Sequence, residues 1–236
     1  MISSIPKWVS NLFGNTMRPN VIVLETHYIS AHIKRIRFQG DISKWNFHIG
    51  YASVIRVSET EFRNYTIGYH AKEKGIFDII FHIHGNGVGS QYIKSLKIGA
   101  EIFISPPRGK LLYEPNIKPQ FVFGDETSLG LACASLPILK QYGHQFQFCF
   151  ELDDANKDAP ELLELENYTV FPKSNLFKNE KWIHELPIFE TSGLETSAFI
   201  LTGNVQSVQT FRKVLKKAPV GKIFSQGYWL AGKKGL

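Results

Sequence analysis

The segment Pro115-Asn116-Ile117-Lys118-Pro119 separates two hydrophobic patterns that do not fit one kind of sheet. Before it, residues 21–25, 28–38, 52–57, 62–69, 76–84 and 101–105 are short runs rich in β-branched and aromatic side chains, divided by Gly, Asn or Lys-rich turns. Six such runs in about 90 residues predict a small antiparallel barrel. One helix is expected there, over 90–96, with Tyr92, Ile93 and Leu96 on one side. After the segment, strands (121–123, 145–151, 169–171, 198–201) alternate with helices (126–141, near Glu161, 181–186, 205–217). That alternation predicts a parallel sheet covered by helices. Pro137 should kink the first of these helices or end it early. The expected organisation is therefore two domains: an antiparallel β-barrel over 18–115 and an α/β nucleotide-binding domain over 119–236.

No apolar run approaches the roughly 20 residues that cross a bilayer, so no membrane insertion is expected. The start, Met1-Ile2-Ser3-Ser4-Ile5-Pro6-Lys7, lacks the pattern of a secretory signal. The two cysteines, Cys133 and Cys149, are expected as free thiols of a cytoplasmic protein. Two thiols do not supply the four protein ligands of an iron–sulfur cluster; electrons moving through this chain need an organic carrier. The net charge of +6 is uneven: after Glu195 no acidic residue occurs, while Arg212, Lys213, Lys216, Lys217, Lys222, Lys233 and Lys234 do. A basic end suits an anionic small ligand or a partner surface. No nucleic-acid motif accompanies it.

Three local runs carry chemistry. Arg63-Asn64-Tyr65-Thr66 lies on a predicted strand, so Arg63 and Tyr65 share a face while Thr66 points away or ends the strand. A guanidinium fork matches phosphate oxygens and a phenol ring offers a stacking face; the alternative is an edge strand with a surface arginine and a core tyrosine. His84-Gly85-Asn86-Gly87-Val88-Gly89-Ser90 closes a strand and opens a helix, where exposed backbone N–H groups favour phosphate. It is not the dinucleotide fingerprint, because Ser90 stands where the third glycine belongs, and a plain turn capped by Ser90 remains the alternative. His82 and His84 share a strand face without a third ligand at suitable spacing, so no metal site is expected. Gly124-Asp125-Glu126-Thr127 follows the first strand of the second half, the place where open α/β sheets receive ligands; a simple turn capped by Asp125 or Thr127 is the alternative. The second strand runs into Glu151, Asp153 and Asp154, and acids there suit a ribose hydroxyl, hence NADH, over a 2′-phosphate; a solvated acidic loop is the alternative.

In this order the chain carries Arg-x-Tyr-Thr (63–66), His-Gly-x-Gly (84–87), Pro107-Arg108-Gly109, Gly124-Asp125-Glu126-Thr127 and Gly227-Tyr228-Trp229. In these it resembles the siderophore-interacting protein family, FAD-containing ferric-siderophore reductases of the ferredoxin-reductase-like superfamily. The resemblance implies that Arg63 binds the flavin pyrophosphate, Tyr65 lines the isoalloxazine and Thr66 bonds near its reactive nitrogen. It implies that His84, Gly85, Gly87, Gly89 and Ser90 wrap FAD with backbone donors, and that Gly124, Asp125, Glu126 and Thr127 receive NADH or NADPH. Gly68 stands where many members have a second arginine, and 88–92 departs from the usual Pro-Ala-tryptophan continuation. The substrate implied is a ferric siderophore, with Lys233 and Lys234 as its expected contacts. No catalytic acid or base is expected, since hydride transfer needs ring stacking. Two other functions stay open: a flavoenzyme of the same fold with another acceptor, such as a redox partner protein, and a nucleotide- or nucleic-acid-binding module without turnover.

Overall fold

Strand alternation in the first half builds one antiparallel sheet, in the computed structural model that describes residues 18–190 and 192–233. Its strands are β1 (Val21–Tyr28), β2 (Ile33–Gly40), β3 (Tyr51–Arg56), β4 (Phe62–Ala71), β5 (Ile76–His82) and, after α1 (Val88–Ser95), the short β6 (Glu101–Ile102) and β7 (Arg108–Gly109). They pair in the order β6-β1-β2-β5-β4-β3-β7. The sheet curls on itself: Ile104, just past β6, bridges to Ile55 of β3. Asn20 imitates a strand partner there, donating to the Ile104 carbonyl and accepting from its N–H, both at 2.9 Å. Inside the curl Val23, Ile36, Phe38, Ile55, Phe77, Ile79 and Phe81 form a core that Ile93 and Leu96 of the α1 segment complete.

The sequence merged one turn into a strand. Residues 29–32 are a turn closed by the Ile29 N–H on the Ile33 carbonyl, so the expected 28–38 strand starts at Ile33. β4 runs on to Ala71, so Thr66 does not end it. Instead β4 changes partner there: residues 62–66 pair with β3 and, past an irregularity between Ile67 and Tyr69, the rest pairs with β5. Gly68 sits at that irregularity, where a bulge re-aims the strand.

The second unit spans Leu112–Lys233. The proline segment belongs to it: Leu112 is fully buried, Tyr113 Oη meets His144 Nε2 at 2.9 Å, and Gln120 Nε2 donates to the Ile117 carbonyl. The unit is a parallel sheet of β8 (Pro119–Gly124), β9 (Gln145–Leu152), β10 (Tyr168–Pro172), β11 (Ala198–Asn204) and β12 (Lys222–Trp229), ordered β10-β9-β8-β11-β12. Its helices are α2 (Leu129–Gln141), α3 (Ala159–Leu162), α4 (Glu180–His184) and α5 (Val205–Leu215). Pro137 neither ends nor shortens α2, which continues through it to Gln141. On α5, Ser207, Val208, Phe211, Val214 and Leu215 recur at helical spacing and bury against the sheet, and Asn204 caps the start by accepting from Gln206 and Ser207 N–H. Strand order reverses between β8 and β11, so their carboxyl ends flank the crevice at the switch point.

Cys133 and Cys149 form no disulfide. Burial pushes the Cys149 thiol up to about 12. Among the described residues no helix is long and apolar enough to cross a membrane.

Candidate functional site

In the first unit two sequence-distant runs meet. Arg63 and Tyr65 project from the same face of β4, and Gly89 in the first turn of α1 lies against both. A Cβ built on Gly89 would stand 3.1 Å from Arg63 Cγ and 3.1 Å from Tyr65 Oη, so glycine is what lets the helix approach. Tyr65 packs edge-on against Phe81 with ring centroids 4.7 Å apart, and burial pushes its phenol above the ordinary value, against the opposing charge of Arg63. The Arg63 guanidinium donates to the Phe62 carbonyl at 2.8 Å and to Glu61 Oε1 at 3.4 Å. It is thus pinned at the protein's edge with donors still in reach of solvent.

The 84–90 turn is open where the sequence needed it open. His84, Gly85, Asn86, Gly87 and Val88 are exposed, and Gly85 adopts φ +53°, the left-handed region that favours glycine. Gly87 occupies the N-cap of α1 and no side chain caps the helix. The alternative of a Ser90 cap does not hold: Ser90 lies inside the first turn, buried, and its hydroxyl accepts from the His84 N–H at 3.1 Å. That bond withdraws His84 N–H from ligand binding and fixes the turn. The first-turn N–H groups of Val88, Gly89 and Ser90 have no intrahelical acceptor, as at every helix start. An uncapped positive helix end beside an arginine fits a diphosphate, and space above Gly85 and Gly87 is clear of heavy atoms within 4 Å of a Cβ. The residues present therefore fit FAD. Thr66 is half-buried and points to the other face, in line with Ala52 of β3 and the exposed Arg108 of β7 across the sheet.

In the second unit the expected nucleotide loop is built, but most of its side chains are spent inside the protein. Asp125 is buried and its carboxylate takes four bonds: Thr127 N–H (2.9 Å), Thr127 Oγ1 (2.5 Å), Asn204 N–H (2.8 Å) and Trp229 Nε1–H (2.7 Å). Burial raises its pKa, with the bonds from Thr127 and Trp229 opposing. Glu126 is buried too. Its Oε1 accepts from Asp153 N–H at 2.8 Å and its Oε2 meets Lys173 Nζ at 2.7 Å. Burial pushes that carboxyl up, but the Asp153 N–H and the Lys173 ammonium outweigh it and hold it below the ordinary value. Gly124 is required because any Cβ would collide with Ser128, and Gly203, at φ +99°, because a Cβ would meet Asp125 Oδ2 at 2.6 Å. Asp125 and Glu126 thus tie the ends of β8, β9, β11 and β12 into one ledge, with Thr127 on its exposed side.

The acidic stretch at the end of β9 departs from expectation. Glu151 turns inward, its carboxylate accepting from Leu176 N–H at 2.7 Å, so it is no ribose ligand. Asp153 is balanced by Lys173 at 3.2 Å and Asp154 by Lys157 at 3.1 Å. Sequence reading missed Lys173, which stands with its ammonium 5.9 Å from the centre of the Trp229 ring, and Asn204, whose Nδ2 is buried without a partner. Asn204 had a signal, Gly-Asn between a buried strand and a helix, the same one that drew attention to 124–127. Lys173 had none. Of the basic end, Lys213 and Lys217 pair with Glu180 and Lys222 with Glu114. Lys233 is exposed in the turn after β12, and Lys234 lies outside the described residues.

Residues 20–113 match the oxidoreductase FAD-binding domain. NADH-cytochrome b5 reductase 1 of Cryptococcus neoformans is 36% identical over 75 residues, and its counterpart in Dictyostelium discoideum 32% over 71. The match spans about a quarter of the length of these curated relatives. The siderophore-interacting protein SipS from Aeromonas hydrophila superposes with a TM-score of 0.73 at 19% identity, covering 92% of this chain and 93% of that one. Phthalate dioxygenase reductase, a modular structure for electron transfer from pyridine nucleotides to [2Fe-2S], superposes at 0.76 with 15% identity, over 93% of this chain and 71% of that one. Residues 20–113 therefore match the oxidoreductase FAD-binding domain family, and the chain carries the ferredoxin-reductase-like fold that siderophore-interacting proteins share.

Proposed function

We propose that this chain is an FAD-dependent reductase that takes electrons from NADH or NADPH and delivers them to a ferric siderophore. The observation that carries the reading is the meeting of Arg63, Tyr65 and the uncapped start of α1 inside a matched FAD-binding domain. Arg63 and the first-turn N–H groups hold the diphosphate, and Tyr65, locked against Phe81, presents a fixed aromatic wall. Bound there, FAD supplies the conversion of a two-electron hydride donation into single-electron deliveries. The ledge of Gly124, Thr127, Gly203 and Asn204 receives the nicotinamide nucleotide, with Asp125 and Glu126 as its internal struts. Five ordered motifs and the fold shared with two siderophore-interacting proteins and a siderophore utilization protein support the acceptor.

A second reading has its own support: the relatives more than 30% identical over the matched stretch are NADH-cytochrome b5 reductases, which favours a protein acceptor. Anaerobic mixing separates the two. The purified protein should be yellow, bleach with NADH or NADPH, and recover its colour on adding a ferric siderophore but not oxidised cytochrome b5. Recovery with the cytochrome alone would establish the second reading. A protein that binds no FAD in titration would end both.

A further inference from the structure

Along the inward face of β2, Ile36 and Phe38 are fully buried and the residue two before Ile36 continues that face. It is Lys34, at 3% exposure. A cation facing a core needs a partner that repays its desolvation. The partners are three carbonyls: Lys34 Nζ donates to Ile93 at 2.9 Å, Leu96 at 3.2 Å and Lys94 at 3.3 Å. These are carbonyls at the C-terminal end of α1, which a helix cannot bond itself. The same helix has no capping side chain and no acidic residue at its other end. α1 is thus held by a buried positive charge at its C-terminus and left open at its N-terminus. Lys34 also stands opposite Phe81 in the β2–β5 register, and Phe81 carries the edge-on contact with Tyr65.

We propose that Lys34 is a positioning residue for the FAD diphosphate, clamping the C-terminal carbonyls of α1 so that its first turn stays formed beside Arg63. The inference rests on the reading of that turn as the diphosphate seat. Gly87 and Gly89 give the turn its open approach, but Gly89 inside the first turn lowers its helix propensity, and Gly87 supplies no side-chain cap. The lysine supplies, from the other end, the order that these residues withhold. It touches neither cofactor nor substrate; it acts through the helix.

The test compares FAD with riboflavin, which carries the same ring system and no phosphate, by fluorescence titration of the full-length apoprotein. Lys34→Met should weaken FAD about tenfold and leave riboflavin within about twofold of the parent, and Lys34→Arg should restore most of the FAD affinity. Unchanged FAD affinity in Lys34→Met, or equal losses for both flavins, would overturn the proposal. The second pattern would mark Lys34 as a general support of the barrel. A parent that binds no FAD would instead strike the functional reading itself. Amide exchange in the parent needs no variant: Tyr92 to Leu96 should be protected before FAD is added, with FAD slowing mainly Val88 to Gln91. A helix that exchanges freely to its C-terminal end without FAD contradicts the clamp.

Discussion

Asp125 and Glu126 are neighbours in sequence with different duties in the fold. Removing the Asp125 carboxylate would leave the buried Asn204 N–H and the half-buried Trp229 indole N–H without acceptors. At roughly 1–3 kcal/mol per orphaned group, Asp125→Ala should lower the unfolding free energy by about 2–5 kcal/mol. Urea denaturation followed by tryptophan fluorescence checks this, and a loss under about 0.5 kcal/mol would mean the bonds contribute nothing net. Glu126 supplies a pH dependence. Its folded carboxyl titrates below the unfolded value of 4.5, so its stabilisation is fully present above that pH and is lost as pH falls through the depressed folded value. Glu126→Gln should therefore destabilise the protein at pH 7 by roughly 3 kcal/mol, the order for breaking a buried pair, and the gap to the parent should close as acid is added. A gap constant from pH 7 to pH 3 would show that the Lys173 pairing is not its source. The family motif identified both residues, but not that they face inward. Local sequence says that an acid follows a strand; only the neighbouring strands say what it bonds.

The elements divide by how local their determinants are. The strands β1, β2 and β3 were legible because the alternation of their side chains is their own, with one face buried in the curl, and β4 and β5 because they are short runs rich in β-branched and aromatic residues between turns. β12 was not, since Lys222-Ile223-Phe224-Ser225-Gln226-Gly227-Tyr228-Trp229 has no clean period and its pairing is dictated by β11. β7 is two residues held by β3. The same division separates the site residues. Arg63, Tyr65 and the glycine turn lie in short runs, whereas Lys34 and Lys173 act on partners more than 40 residues away. α1 shows how element and site conflict. Gly89→Ala should favour the isolated helix by about 1 kcal/mol, yet its new methyl would press on Arg63 and Tyr65 at 3.1 Å. Apoprotein stability should therefore change little while FAD affinity falls about five- to tenfold. Parallel thermal melts and FAD titrations read the two quantities; an unchanged affinity would show that α1 can shift without disturbing the arginine.

Over the whole molecule the excess positive charge is less free than composition suggests. The formal charge is +6, and the chain after Glu195 is exclusively basic, yet Lys213 and Lys217 share Glu180 and Lys222 holds Glu114. These pairs offset part of the charge around α5 and that at the start of β12. Lys233 remains exposed beyond β12, followed in sequence by Lys234. An anionic ferric chelate would then be drawn by the chain's end more than by the α5 surface. Exposed charges are screened over roughly 8–10 Å at physiological ionic strength, so reduction of such a chelate should slow as salt rises while reduction of the flavin by the nicotinamide does not. The double variant Lys233→Ala, Lys234→Ala should lose several-fold of the chelate rate at low salt and most of its salt dependence. Lys213→Ala, which removes a charge already balanced by Glu180, should behave as the parent. If the Lys213 variant slows the chelate as much as the double variant does, attraction is a property of net charge and not of the chain's end.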